Sequence, residues 1–166
     1  MLKNISLYLL LIMLSGCTSI PKKKPPFEIS AVVNQYLTTY QARDNFEHFL
    51  SFYDDEVVLE DMLYGVKATN KKAFSAFFNW QAGDFKVLNG KQTFEVSQIV
   101  IDDEQRTVVV SGVFNPFSFN EQKLGPWRFT TVLKFNQAGL IVYQQDWINY
   151  FPRSFVSEAT NLNGTH

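Results

Sequence analysis

The hydrophobic pattern divides this chain into stretches of different period. An apolar run from Ile5 to Leu14 comes first. Residues 28–42 then place Ile29, Val32, Val33, Tyr36, Leu37 and Tyr40 at helical spacing, which predicts a first helix. Asp44, with Glu47 three residues on, has the form of an N-cap. It predicts a second helix through Phe46, Phe49, Leu50 and Phe52, closed by Asp54 and Asp55. Residues 57–61 predict a short strand. Asn70 caps a third helix with Ala73, Phe74, Phe77 and Phe78 on its apolar side. After that the period falls to two. Residues 92–101 alternate, and a turn at 102–105 leads into one long return strand over 106–119. Trp127, Phe129, Thr131, Leu133 and Phe135 share one face of the next strand. Leu140 to Asn149 form the last, which Pro152 ends. The tail from Arg153 to His166 has little pattern, with Phe155 and Val156 as its candidate docking residues.

Helices followed by meandering strands give an α+β order. The turns are too short for crossovers, so the strands are expected to be antiparallel. Helices must cover one face of such a sheet. The expected architecture is a cone-shaped, curved antiparallel β-sheet with three N-terminal helices packed on its concave face, leaving a cavity inside the cone.

Lys3 before the apolar run and the small residues Ser15 and Gly16 after it make a secretory leader. The run is shorter than the ~20 apolar residues that span a bilayer. Leu14-Ser15-Gly16-Cys17 matches the bacterial lipobox, and the segment resembles a lipoprotein signal peptide. The resemblance implies cleavage before Cys17, a diacylglyceryl thioether on its thiol, and acylation of the new N-terminus, typically with palmitate. Thr18 follows instead of Asp, which in Gram-negative lipoproteins implies an outer-membrane anchor facing the periplasm. The expected divisions are a signal peptide over 1–16, the lipidated Cys17 and a tether over 17–26, a domain over 27–152 and a tail over 153–166.

Charge and composition narrow the functions. Fifteen basic residues meet 16 acidic ones, for a net charge of −1, and no basic stripe exists, which argues against a nucleic-acid partner. The one basic cluster, Lys22 to Lys24, lies in the tether, where it reads as a solvated spacer or as contact with anionic headgroups. Cys17 is the only cysteine, so no disulfide forms within the chain. With two histidines and no Gly-rich phosphate loop, serine elbow or Cys–His pair, no metal or cofactor is expected. Aromatic residues make up 16% of the chain, a heavy load that suits a large interior surface.

The order of elements and three phrases together carry a resemblance: Asp44 opening the second helix, Phe52 to Val57 followed by Glu60-Asp61, and Gly139 to Trp147. Over residues 28–151 the chain resembles the nuclear transport factor 2-like superfamily, including SnoaL-like polyketide cyclases and ketosteroid isomerases. In the isomerases a general-base Asp closes the first strand, and that position falls on Asp61. An oxyanion-donating Tyr on the first helix falls on Tyr36, eight residues before Asp44, although one extra residue lies between Asp44 and Asp61. The second donor, a protonated Asp held in an apolar site, is replaced by Thr131, and a supporting Tyr by Phe78. Half of that constellation remains. In the epoxide hydrolases of this fold, Asp146 falls on one Asp of an Asp-Arg-Asp network. Ser111, Val113 and Leu59 stand where the Arg, the second Asp and a Tyr belong, which argues against that activity.

The candidate site residues are therefore Asp61, Tyr36 and Asp146 for catalysis, with Trp127, Phe129 and Thr131 beside them as ligand-binding positions. Each has a structural alternative. Asp61 would bond backbone amides at a strand end, Tyr36 would be core, and Asp146 would tie helices to the sheet. Three functions follow. One is a lipoprotein domain that binds a small apolar molecule. Another is an isomerase- or cyclase-like enzyme with Asp61 as base. The third is a non-catalytic assembly module, such as a homodimer, using the outer sheet face. A contiguous exposed apolar patch on that face would favour the third.

Overall fold

The computed structural model describes residues 27–164. The leader, Cys17 and the tether lie outside the described residues. Three helices come first, α1 (Ile29–Ala42), α2 (Phe46–Ser51) and α3 (Lys71–Phe78), with strands β1 (Tyr53–Asp61) and β2 (Val66–Ala68) between the last two. After α3 come β3 (Phe85–Val87), β4 (Phe94–Asp102), β5 (Thr107–Phe114), β6 (Phe117–Phe119), β7 (Gln122–Leu124), β8 (Trp127–Phe135) and β9 (Ile141–Ile148). A 3-10 turn, Arg153–Val156, follows in the tail.

Local chemistry explains the helix ends. α2 begins at Asn45, whose backbone is extended and whose Oδ1 accepts from the His48 amide. The expected cap, Asp44, stands one residue too early. α3 begins at Asn70, whose side chain accepts from the Ala73 amide at 2.9 Å, as its spacing predicts. α1 ends at Arg43, which takes the left-handed conformation at φ 51° while its amide bonds the Thr39 carbonyl. Asp54 and Asp55 do not close α2; they already belong to β1.

Six strands form one sheet in the order β2-β1-β9-β8-β5-β4, and three short ones form a second, β3-β6-β7. The large sheet is antiparallel except at one joint: β1 runs parallel to β9. Short turns dictate direction between β1 and β2 and along the run from β4 to β9. No short turn links β1 to its neighbour β9, so turn length did not constrain that pair. The long strand expected over 106–119 is broken at Asn115 and Pro116, since proline cannot donate to a ladder. Its far end, β6, joins the small sheet instead.

Register then aligns side chains across strands. Asp61 pairs with Asp146, Asp146 with Thr131, and Thr131 with Val110. One row on the concave face is thus Asp61, Asp146, Thr131 and Val110. The row below is Leu59, Gln144, Leu133 and Val108. All eight are buried. α1 covers this face with Ile29, Val33, Tyr36 and Leu37, a stripe at helical spacing. The sheet bends where Gly112 faces an irregularity in β4. A Cβ there would lie 2.3 Å from the Glu95 carbonyl and 2.8 Å from the Phe129 ring, so only glycine fits.

A second, smaller core joins Phe117, Leu124, Trp127 and Tyr150, with Phe155 and Val156 of the tail packed against it. The tail then crosses Gly65, where any Cβ would strike the Thr160 backbone at 2.2 Å.

Candidate functional site

Between the two cores the concave face leaves a cavity of about 270 Å³. Its apolar wall includes Phe77, Phe78, Phe114, Phe117, Trp127 and Phe155. Its charged groups are Asp61, Asp146 and Arg43, joined by the hydroxyls of Tyr40, Tyr64, Thr93 and Tyr150. Below it lies a void of about 20 Å³ lined by Tyr36, Phe129, Thr131, Gln144 and Asp146. A void of that size has room for a single water-sized group. The six expected site residues are therefore divided. Asp61 and Trp127 line the large cavity, Tyr36, Phe129 and Thr131 the small void, and Asp146 faces both.

Asp61 is held from three directions. Its Oδ1 accepts from the amides of Leu63 and Tyr64 at 3.2 and 2.9 Å, closing the β1–β2 turn. Its Oδ2 accepts a short hydrogen bond from the Tyr150 hydroxyl. Burial raises the Asp61 pKa, while these three donors oppose the rise. Tyr150 is raised in turn by burial and by the carboxylate beside it.

Asp146 is buried on all sides. Thr131 Oγ1 donates to its Oδ1 at 2.7 Å, and Gln144 Nε2 to its Oδ2 at 2.8 Å. Burial is the main cause that pushes its pKa up to about 7, and the neighbouring Asp61 charge adds to it. The Thr131 and Gln144 bonds pull the other way. The parallel β1–β9 register is what sets the two carboxylates side by side.

Tyr36 belongs to a relay. The Tyr53 hydroxyl lies 2.7 Å from Gln144 Oε1 and 3.1 Å from the Tyr36 hydroxyl. An amide oxygen only accepts, so Tyr53 gives it its single proton and is left to accept from Tyr36. Tyr36, Tyr53, Gln144 and Asp146 then form one chain of hydrogen bonds. Burial raises both phenols well above their ordinary range.

Three members of the site, Tyr53, Gln144 and Tyr150, were not singled out from the sequence. Gln144 sits two residues before Asp146 in a period-two strand, which is a usable signal that they share a face. Tyr53 and Tyr150 gave none, because each falls at an element end where periodicity stops. Positions that the resemblance would fill with catalytic groups are structural here. Leu59 is core, Phe78 stacks on Phe74 at 4.6 Å, and the Ser111 hydroxyl bonds Thr130 on the outer face. Among the described residues no cluster of three or more His, Cys, Asp or Glu is placed to hold a metal ion.

Several solved structures superpose on this architecture. A steroid delta-isomerase from Pseudomonas aeruginosa matches with a TM-score of 0.56 at 13% identity, over 80% of this chain and 90% of its own. The epoxide hydrolase/cyclase-like enzyme SalBIII, of pyran ring formation in the polyether salinomycin, matches with a TM-score of 0.58 at 12% identity, over 73% and 90%. A candidate SnoaL-like polyketide cyclase from Shewanella denitrificans gives 0.57 at 17% identity, over 78% and 96%. The fold is that of the nuclear transport factor 2-like superfamily. No protein-family model matches the sequence, and no curated protein does. At such identities the nuclear transport factor 2-like likeness is one of fold, and activity must be argued from the side chains.

Proposed function

We propose that this chain is a lipid-anchored protein of the bacterial cell envelope whose nuclear transport factor 2-like domain binds a small, mainly apolar molecule. The observation that carries the binding reading is the cavity itself: about 270 Å³, walled by aromatic rings, with a few convergent polar groups. Ligand sites have this composition, and the volume lies just below their ~300–1,000 Å³ range, as suits a small ligand. The lipobox at Leu14 to Cys17 supports the anchor, and Thr18 supports the outer membrane facing the periplasm.

Native mass spectrometry tests the reading on the domain from Phe27 onward, purified without detergent from its own host. The expected result is an adduct of a few hundred daltons that is lost on denaturation. A protein with no adduct, which also takes up none of a panel of small apolar compounds, would overturn it.

An isomerase- or cyclase-like enzyme is the second reading, and Asp146 is the observation that favours it. A buried carboxyl with a pKa near neutrality suits proton transfer at physiological pH. Asp61, whose Oδ1 is bound to two backbone amides that close the β1–β2 turn, suits a structural role better than that of a base. Turnover of the released adduct by the wild type, abolished in Asp146→Asn and retained in Asp61→Asn, is the expected pattern for that enzyme. The converse pattern would return the role of base to Asp61.

A further inference from the structure

Among the described residues, Arg43 is the one cationic side chain on the wall of the large cavity. It also borders a surface groove lined by Gln41, Trp80, Asp84 and Lys91, and with Phe85 and Thr93 it stands where groove and cavity meet. Its guanidinium lies over the Phe85 ring at 4.5 Å and the Trp80 ring at 5.1 Å. Among the described residues it makes no ion pair and no side-chain hydrogen bond. The other charges of the groove do not answer it. Lys91 is taken by Glu95 at 2.6 Å, and Asp84 makes no ion pair with Arg43.

That arrangement is costly in two ways. A guanidinium offers five N–H donors, and the Trp80 and Phe85 rings beside this half-buried one do not accept those protons as a carboxylate would. Partial burial already holds its pKa below the ordinary value. Its backbone also occupies the left-handed position after a helix, where glycine or asparagine is the usual choice. With no side-chain acceptor bonded to it among the described residues, the guanidinium has its N–H groups available for a planar acceptor. A carboxylate fits such a group through two parallel bonds.

We propose that the cavity ligand is an apolar carboxylic acid, with its carboxylate against Arg43 at the junction of groove and cavity and its hydrocarbon body among the aromatic rings. This rests on the reading of the cavity as a binding site. Charge fixes the orientation. Asp61 and Asp146, side by side on the cavity wall, would repel a carboxylate placed against them. A single guanidinium balances a single negative charge, so a monoanion fits better than a phosphate monoester, which carries close to two at neutral pH.

Three probes of equal length test the proposal on the mature protein: octanoate, 1-octanol and octylammonium, titrated by calorimetry at neutral pH. The expected order of affinity is octanoate, then octanol, then octylammonium, with octanoate about ten- to a hundredfold tighter than octanol, the worth of a charge-assisted pair. Arg43→Gln is expected to erase that preference, bringing octanoate down to or below the affinity of octanol. Equal binding of octanoate and octanol by the wild type would overturn the carboxylate assignment and leave the cavity reading standing. So would preference for octylammonium, which would put the two aspartates in charge. Loss of octanoate and octanol binding together in Arg43→Gln would make Arg43 a structural residue. Failure of all three probes to bind the wild type would instead remove the cavity reading, and this proposal with it. The comparison of probes on the wild type keeps the proposal falsifiable if the variant does not fold.

Discussion

The Tyr53 hydroxyl donates to Gln144 Oε1 at 2.7 Å, joining the start of β1 to the middle of β9 inside the core. Gln144 is 1% exposed and Tyr53 is fully buried, so neither group has water as an alternative. Tyr53→Phe would leave the amide oxygen and the Tyr36 proton without partners. The expected cost is about 1–3 kcal/mol, the desolvation penalty of an orphaned buried group. For a domain of this size that lowers the melting temperature by roughly 3–10 °C. Tyr36→Phe removes only the terminal donor of the chain, so a smaller loss is expected. Thermal unfolding of both variants checks the order. If Tyr36→Phe is the more damaging, the relay does not run from Tyr36 to Gln144 as drawn.

Asp146 makes stability depend on pH in a direction opposite to the usual paired carboxylate. Its folded pKa of about 7 lies above its ordinary 3.8, so the native state binds the proton more tightly than the unfolded chain does. The stability this group contributes is therefore greatest below about 4, falls as pH rises towards 7, and is lost above it. The raised pKa of Asp61 adds in the same sense. Asp146→Asn removes the larger contribution. The amide can still accept from Thr131, and a turned Gln144 can accept from it, with Tyr53 then donating to Tyr36 across their 3.1 Å. The expected outcome is that the wild type loses melting temperature between pH 5 and pH 8 and the variant loses much less. Equal slopes would show that Asp146 is not the group responsible.

The element order and the inward faces were legible because the period changes cleanly from helical to two. All five residues expected on one face of β8 are buried. The pairing of β1 with β9 was not legible, since nothing local in the sequence sets the direction of strands distant along the chain. Yet that joint brings Asp61 beside Asp146 and so creates the electrostatics of the site. Arg43 escaped notice for a related reason. In the sequence it is a polar residue after a helix, and only the fold shows Trp80 and Phe85 closing around it.

The lipid anchor rests on sequence chemistry alone and is tested through Cys17, which lies outside the described residues. Acylation needs the thiol as its nucleophile, and a hydroxyl does not replace it. Two or more acyl chains give stable membrane attachment, whereas one alone is marginal. In cells fed labelled palmitate, the wild type is expected to carry label and to sediment with membranes. Cys17→Ser is expected to carry none and to retain its leader. A labelled variant, or an unlabelled wild type, would remove the anchor from the proposed function.

The outer face of the sheet offers the last prediction. Opposite the buried rows runs a row of Glu60, Gln145, Val132, Val109 and Val100. At the β1 end, Glu60 is neutralised by Lys67 at 2.9 Å and accepts from Tyr143. At the other end the row is apolar, with Val100 at 51% exposure on the edge strand β4, and Trp147 at 47% on the same face. Edge strands usually carry charge that discourages pairing, and an exposed apolar stretch of this kind suits a second copy of the chain. A stable homodimer would need to cover roughly 600 Å² or more of this face on each partner. Light scattering of the domain is expected to give twice the monomer mass at micromolar concentration. Val132→Lys, a central outward position, is expected to halve that mass while shifting the melting temperature of the monomer by no more than a surface substitution does. A wild type that remains monomeric at ~100 μM would leave this face to solvent and withdraw the assembly reading.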